Sequence, residues 1–386
     1  RFRVRTWGVG LAALAAALAW AGDAAQAETL REALSSAYKF NPRLDAARAT
    51  LRATDEEVPR ALSGYRPSVV GTADTNYQRS STKPPSTSNG DSNPRGYGMS
   101  LSQPIFRGFR VVNTVAEAEA TVRAGRETLR TAEQSVLLEA VTAYTDVVRD
   151  QAIVRLRENN VTVLTRDLRA TQDRFNVGEV TRTDVAQAQA RRAAAVSALD
   201  LARANLKTSR AAYERVIGHP PSNLAEPGAS RLVPKSVQDS VDISSRESPT
   251  VVTALYREQA ARHAVDRIRG ELLPEVTLEA DYSRRFDPAT SLEQSETTTV
   301  TGRLTVPFIP NGEIQARVRQ AKHTHVGRLQ EIEQARTEVQ SQVVATWSQL
   351  VAARAQLESD QAQVSANRIA LTGVREEEKV GQRTLL

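Results

Sequence analysis

The stretch Leu101–Gly108 reads LSQPIFRG, and a related stretch, LTVPFIPNG, occupies Leu304–Gly312. Each follows a segment in which apolar and polar residues alternate, and each precedes a long segment without proline. Alternation with a period of two is typical of a β-strand, whereas a long run without proline permits a long helix. We therefore expect a strand to give way to a helix at Pro104 and again at Pro307, where proline ends ladder pairing.

The two stretches belong to one internal duplication. In each half the order is a helix, a proline, an alternating strand, a loop, a second strand, a proline, a long helix and a Val-Gly turn. The matching landmarks are Pro42 with Pro249, Pro67 with Pro274, Pro104 with Pro307, Tyr144 with Trp347, Gly178 with Gly381 and Thr183 with Thr384. One repeat with a period of about 205 residues indicates a duplication rather than a solenoid.

The duplication predicts how the chain is organised. We expect a first repeat over residues 28–217, a linker or equatorial segment over 218–247 and a second repeat over 248–386. In the first repeat the Val-Gly turn leads into a return helix. The sequence ends just after the second turn, so we expect the second repeat to be truncated before its return helix.

The four alternating segments lie at about 67–79, 95–104, 274–285 and 297–307. Each has one apolar and one polar face, which suits a tilted strand of a membrane barrel and equally a half-exposed strand of a soluble sheet. Four strands cannot close a barrel, because the smallest membrane barrels have about 8 strands and lipid does not tolerate open sheet edges. A membrane location therefore requires several chains to share one barrel.

Long helices are predicted at about 107–176, 182–217 and 312–379. From Val115 to Val147, mostly small apolar residues recur every three or four positions, which is the pattern of a coiled-coil seam. A helix of about 66 residues would reach roughly 100 Å. Taken alone, the helices favour a plain antiparallel coiled-coil scaffold.

The first residues have the pattern of a secretory signal peptide. Three arginines within the first five residues precede an apolar run over 7–22, and an Ala-Gln-Ala tripeptide at 25–27 gives a small-x-small cleavage pattern. A membrane anchor is the alternative, but the run is short for a span of roughly 20 residues. We therefore expect residues 1–27 to be a signal peptide and the mature chain to begin near Glu28.

Composition excludes several classes of site. The chain has no cysteine, which excludes disulfides, thiolate zinc sites and cysteine nucleophiles. Its net charge of +6 is spread over the chain without a Lys/Arg block, so we expect no nucleic-acid partner. His323 and His325 are two residues apart and point to different faces of a helix. Because the sequence also shows no nucleophile elbow, phosphate loop or HExxH motif, we expect no enzyme activity, no cofactor and no metal site.

With these features together, the chain resembles the TolC family of outer-membrane efflux and secretion channels. The motifs that carry the resemblance are LSQPIFRG at 101–108 with its counterpart at 304–312, RFNVG at 174–178, KVGQRT at 379–384 and the opening from Thr29 to Pro42. The resemblance implies an α+β fold made mainly of long helices in an α-helical barrel or coiled coil. It also implies four transmembrane strands per chain, shared in a trimeric, 12-stranded outer-membrane β-barrel.

The resemblance further implies a homotrimer that crosses the outer membrane of a Gram-negative bacterium, contacts its lipid and extends into the periplasm. Such a protein is a passive exit duct of a tripartite efflux pump or a type I secretion system. A periplasmic adaptor (membrane fusion) protein and an inner-membrane ABC or RND-type transporter open its periplasmic tip. The transporter supplies the energy.

The resemblance also assigns residues at the tip. The turns that meet the adaptor correspond to Val177-Gly178 and Val380-Gly381. Glu179 and Gln382 follow these turns, where the family often has Leu or Thr, so we expect the docking chemistry to differ. Either Thr181 or Thr183 can cap the helix that follows the first turn.

A closed tip in this family is held by links between neighbouring helices, which correspond here to Thr183, Asp184 and Arg383. An Arg–carboxylate bond suits a latch because it can be broken without unfolding the protein. The alternative is an exposed ion pair of negligible energy. A tyrosine that the family carries before the second turn is replaced by Glu378, and the family's aperture aspartates would lie beyond Leu386.

A soluble periplasmic coiled-coil adaptor or scaffold remains the alternative function. Adaptors also carry helical hairpins, but usually one hairpin flanked by small β-domains, whereas here two hairpins follow paired long strands. Extraction in detergent as a trimer would favour the channel, and a soluble monomer would favour the scaffold.

Overall fold

The computed structural model describes residues 27–81, 83, 90–228, 232–289 and 292–379. Within these ranges the elements run in the order α1 Leu30–Phe40, α2 Pro42–Asp55, α3 Glu57–Leu62, β1 Ser68–Thr75, β2 Gln78–Ser80, β3 Gly90–Ser92, β4 Arg95–Arg107, α4 Arg110–Asn176, α5 Arg182–Ile217, α6 Val237–Glu247, α7 Pro249–Arg269, β5 Glu275–Ala289, β6 Leu292–Thr305 and α8 Glu313–Lys379. Short 3-10 turns, Ser63–Tyr65 and Gly270–Leu272, precede β1 and β5. The predicted α+β fold of long helices with four long strands, built by duplication, is confirmed.

The four long strands form one antiparallel sheet in the order β1-β4-β5-β6, and β2 and β3 form a separate small hairpin. The register aligns apolar residues across the sheet, since Val69 lies opposite Leu101, Leu101 opposite Ala280 and Ala280 opposite Val300. Directly paired residues share a face of the sheet. One face is therefore apolar across all four strands, and it is exposed at Val69 and Val300.

The neighbouring row of the sheet is polar. Ser68 lies opposite Ser102, Ser102 opposite Glu279 and Glu279 opposite Thr301. Because successive residues of a strand point to opposite faces, this row belongs to the other face. The sheet thus separates an apolar face from a polar one, with open edges at β1 and β6.

Two helices, α4 and α8, have 67 residues each, which corresponds to about 100 Å at 1.5 Å per residue. Within the described residues, none of the helices combines the length and the apolar character needed to cross a membrane.

The chain divides into two compact units. Among the described residues, one unit lies within Arg1–Ala49 and Leu129–Arg231, and the other within Thr50–Thr128 and Leu232–Leu386. The boundary falls inside α2 and inside α4, because a helix as long as α4 contributes residues to both units. The predicted linker at 218–247 also contains a helix, α6.

The first unit has a core of small and aromatic residues from α1, α4 and α5. Tyr144 and Tyr213 are fully buried there, with ring centroids 6.4 Å apart. The Tyr144 hydroxyl lies 2.8 Å from the carbonyl oxygen of Glu28 and 2.6 Å from that of Ala225. Glu28 also forms a parallel β-bridge with Leu224, so the start of the described chain is tied to the segment after α5.

Candidate functional site

The first candidate region is the turn between α4 and α5. The helix α4 ends in a Schellman motif, in which the Gly178 N–H donates to the Phe175 carbonyl (3.0 Å) and the Glu179 N–H donates to the Arg174 carbonyl (2.9 Å). Gly178 has a φ of 84°, which glycine adopts without strain. Val177, just before it, is 72% exposed. The turn therefore presents an apolar side chain on a well-defined backbone.

The helix α5 begins with a capping box formed by Thr181 and Asp184. Asp184 Oδ2 accepts hydrogen bonds from the Thr181 N–H and from the Thr181 hydroxyl, both at 2.7 Å. These bonds favour the ionised carboxylate, so the Thr181 hydroxyl and then the Thr181 N–H hold the pKa of Asp184 below its usual value. Of the two threonines considered as caps, Thr181 is the one used.

The remaining predicted tip residues are not brought together within the described residues. Thr183 is exposed on the first turn of α5. Val380, Gly381, Gln382 and Arg383 lie outside the described residues. The pairing of Asp184 with Arg383 therefore stays a prediction.

The second candidate region is the junction between β4 and α4. The sequence predicts that the pairing of β4 ends at Pro104, but β4 continues to Arg107, which pairs with Glu275. The register shifts between Pro104 and Phe106, and such an irregularity lets a strand accommodate a residue without an N–H. The change from strand to helix occurs instead at Gly108 and Phe109, with φ values of 55° and 59°.

Ion pairs stabilise the junction between β4 and α4, which is the first of the two strand-to-helix junctions. Glu275, at the start of β5, accepts a hydrogen bond from Arg107 Nε at 2.8 Å and another from Arg110 Nη2 at 2.6 Å. All three side chains are partly buried. One carboxylate thus joins the end of β4, the start of α4 and the start of β5.

A close backbone contact lies beside these ion pairs. A Cβ atom added at Gly108 would lie 2.2 Å from the Gly270 carbonyl oxygen, and one added at Gly270 would lie 2.3 Å from the Gly108 carbonyl oxygen. Only glycine fits such an approach. No local sequence pattern predicts the roles of Gly270 and Glu275, because their partners are more than 160 residues away along the chain.

The second junction, between β6 and α8, is different. The strand β6 ends at Thr305, so pairing stops two residues before Pro307. Phe308 and Ile309 follow and are 87% and 95% exposed. Gly312 precedes α8 with a φ of 87° and, within the described chain, nothing lies within 4 Å of its Cβ position.

Neither region contains the groups of a metal site. Among the described residues, no group of three or more His, Asp or Glu side chains is placed to hold a metal ion.

Comparison with known proteins identifies the family. A sequence model of the family described as outer membrane efflux protein matches residues 33–219 and 242–386. The outer membrane efflux protein BepC of Brucella suis biovar 1 is 38% identical over 380 residues, which cover 98% of this chain and 82% of BepC. The alkaline protease secretion protein AprF of Pseudomonas aeruginosa is 28% identical over 233 residues, which cover 58% of this chain and 48% of AprF.

A solved structure supports the same fold. The Campylobacter jejuni CmeC outer membrane channel superposes with a TM-score of 0.76 over 92% of this chain and 78% of CmeC, at 18% sequence identity. Together with the family match, this likeness confirms the predicted resemblance to TolC-type channels. The chain belongs to the outer membrane efflux protein family and is a channel protein of the outer membrane that extends into the periplasm.

Proposed function

We propose that three copies of this chain form the exit duct of a tripartite efflux pump. The observation that carries the proposal is the open sheet, whose apolar face extends over β1, β4, β5 and β6 and whose two edges are unpaired within the described chain. An open edge is not stable in lipid, so the edges must pair with other copies. Three copies supply 12 strands, an even number that closes an antiparallel barrel with its apolar face towards lipid.

Efflux is the transport process that we propose first, because the matched family and BepC are both named for it. AprF, named for alkaline protease secretion, supports type I secretion as a second use of the same conduit. In both cases the duct is passive. A periplasmic adaptor and an inner-membrane transporter of the ABC or RND type would engage the tip. A soluble periplasmic scaffold is not favoured by these relatives.

We also propose that the tip turn docks the adaptor. Exposed Val177 offers an apolar contact, and the Schellman motif fixes the backbone that presents it. Glu179 follows directly and is exposed, so the complementary adaptor surface would carry a basic or hydrogen-bond-donating group. The counterpart turn at Val380-Gly381-Gln382 would supply the second half of the docking site.

Asp184 has two roles to fill if it is both part of the capping box and part of the latch. Asp184 uses Oδ2 for both hydrogen bonds from Thr181, which leaves Oδ1 without a partner among the described residues. A guanidinium can bond to Oδ1 without breaking the cap. Asp184 would therefore both start α5 and accept Arg383 from a neighbouring helix, with Thr183 beside it.

Single-channel conductance in planar lipid bilayers tests the duct and the latch together. We expect a small, stable conductance for the wild type and a larger one for Asp184→Ala and for Arg383→Ser. Thr181→Ala is the matched control, because it weakens the cap but keeps the carboxylate. An equal rise in Thr181→Ala would assign the effect to a loosened helix end and overturn the latch. Protein that stays soluble without detergent and never inserts would overturn the duct.

A further inference from the structure

The segment after β6 exposes two large apolar side chains. Phe308 and Ile309 lie between the end of β6 and the start of α8, and they are among the most exposed apolar residues of the described chain. Exposed apolar residues next to one another mark a contact with a partner or a membrane. The segment lies at one edge of the sheet, because β6 is an edge strand.

An apolar groove lies at the other edge. It has a volume of about 180 Å³ and lies between the 3-10 turn before β1 and the junction of β4 with α4. Its lining includes Gly64, Tyr65, Ile105, Phe109 and Val112. Of these, Ile105, Phe109 and Val112 are more than half exposed. The strand β1 begins at Ser68, opposite Ser102, so no strand pairs with β4 on this side between Gln103 and Arg107.

The groove and the exposed pair lie towards the same end of the sheet. The row Ser68, Ser102, Glu279 and Thr301 crosses all four strands, so the start of β1 is level with Thr301, four residues before the end of β6. Adjacent strands run antiparallel throughout, and β6 would also run antiparallel to the β1 of a next copy. Edge pairing between copies would therefore bring the segment after β6 alongside the groove of its neighbour.

The duplication provides a template for this contact inside one chain. Residues 104–110 of the first repeat correspond to 307–313 of the second, and both segments join a strand to a long helix. The first segment packs on the second repeat, with Phe106 opposite Val276 and Gly108 against Gly270. The second segment has no such support in the described chain, because Gly312 has open space around it.

The two sides of the contact differ from the template in a matched way. Within the chain, Arg107 and Arg110 both bind Glu275. At the corresponding positions, Pro310 and Glu313 replace the arginines, and Ser68 replaces the glutamate. A carboxylate at 68 would have no arginine to pair with and would be costly to bury at an interface, so serine there keeps position 68 free of an unpaired charge.

We propose that Phe308 and Ile309 of each copy insert into the groove around Tyr65 of the next copy, as the first repeat's junction packs on the second repeat. The proposal rests on the proposed trimer and adds the residues that join its subunits below the sheet. The contact is heterologous, head to tail, and its occupant is a second copy of this chain.

Disulfide trapping tests the contact. The chain has no native cysteine, so only the introduced cysteines can form a disulfide. The double variant Tyr65→Cys/Phe308→Cys should form disulfide-linked dimers and trimers on mild oxidation of the detergent-purified protein. A bond within one chain is excluded, because three interstrand spacings separate β1 from β6 by about 14 Å and a disulfide spans at most about 7 Å between Cα atoms. Tyr77→Cys/Phe308→Cys is the matched control, because Tyr77 follows the opposite end of β1 and is also exposed. It should give no linked species.

The outcomes separate this proposal from the proposed function. Trimers seen by lysine cross-linking without any bond between positions 65 and 308 would overturn the contact and keep the duct. The absence of trimers in every variant, wild type included, would overturn both. Equal linking in the Tyr77 control would mean random collision and would also overturn the contact.

A second variant separates a protein partner from a lipid partner. Phe308→Ala/Ile309→Ala should raise the dissociation constant of the trimer by about tenfold or more, as expected for the loss of an aromatic anchor. Because both side chains are exposed in one copy, folding of the single chain should not change. Unchanged trimers with weaker insertion into phosphatidylethanolamine/phosphatidylglycerol vesicles would identify the pair as a lipid anchor and overturn the proposal.

Discussion

Three glycines of this chain allow two free-energy costs to be measured separately. One is the cost of a side chain in the left-handed region of the backbone, and the other is the cost of steric overlap at the junction of β4 with α4. Gly108 has both a φ of 55° and a carbonyl oxygen 2.2 Å from its Cβ position. Gly270 has the same crowding without the unusual backbone, since its φ is −60°. Gly178 has the unusual backbone, with a φ of 84°, but open space around it. Alanine at Gly178 therefore tests backbone strain alone, alanine at Gly270 tests steric overlap alone, and alanine at Gly108 tests both.

The expected costs follow from these geometries. Gly178→Ala should cost about 1–2 kcal/mol, because a side chain in the left-handed region meets the following carbonyl oxygen. Gly270→Ala should cost about 1–3 kcal/mol, because its Cβ would displace the backbone at Gly108. Gly108→Ala carries both effects and should cost about 2–5 kcal/mol.

Hydrogen–deuterium exchange with mass spectrometry is the appropriate assay, because it reports opening of each region rather than one unfolding event. Gly108→Ala and Gly270→Ala should speed exchange in β4 and β5, and Gly178→Ala only around the tip turn. Wild-type exchange in Gly270→Ala would show that the close backbone contact costs nothing. Equal loss of protection in Gly178→Ala and Gly108→Ala, each in its own region, would show that overlap adds nothing to backbone strain.

Three further changes test single contacts. Thr181→Ala should destabilise the first turn of α5 by about 1 kcal/mol, the usual value of an N-cap, whereas Thr183→Ala should leave amide exchange there unchanged. Thr181 lowers the pKa of Asp184 in the folded protein. The ionised carboxylate should therefore stabilise α5 above the unfolded pKa of about 3.9, and this stabilisation should be lost as the pH falls through the lower folded pKa. Exchange protection at the start of α5 that improves on acidification would contradict this. Tyr144→Phe should cost about 1–3 kcal/mol in thermal melting, because buried carbonyls lose a donor. Glu275→Gln should cost about 1–3 kcal/mol and speed exchange at the start of α4, since two arginines lose their charged acceptor; unchanged exchange would show that the ion pairs are dispensable.

Local signals explain why some elements can be located from the sequence. The return helix is predicted at 182–217 and is observed at Arg182–Ile217. Thr181 caps its start, and Gly218, with a φ of 98°, ends it, so both boundaries are encoded by adjacent residues. The threonine and aspartate of the capping box are also three residues apart, which is the spacing expected for this motif.

Strand ends and tertiary contacts carry weaker signals. The hairpin of β5 and β6 extends to Ala289 and Leu292, beyond the predicted ends, because backbone pairing continues where the apolar alternation has faded. The predicted stop at Pro104 failed because a local irregularity absorbs the proline. The Gly108–Gly270 approach depends on distant parts of one chain, and no sequence period encodes it.

Duplication makes the two junctions subject to one geometric condition. Each repeat contributes two long strands, so a 12-stranded ring contains six repeats, alternately joined within a chain and between chains. A head-to-tail ring closes only if successive rotations sum to a full turn, or about 60° for each of six equal junctions. The crowded glycines and ion pairs fix the rotation inside the chain. In the proposed trimer, the junction between chains must supply the rest of the 120° step of each chain without them, and the proposed insertion of Phe308 and Ile309 into the groove would do so while leaving the subunits separately foldable.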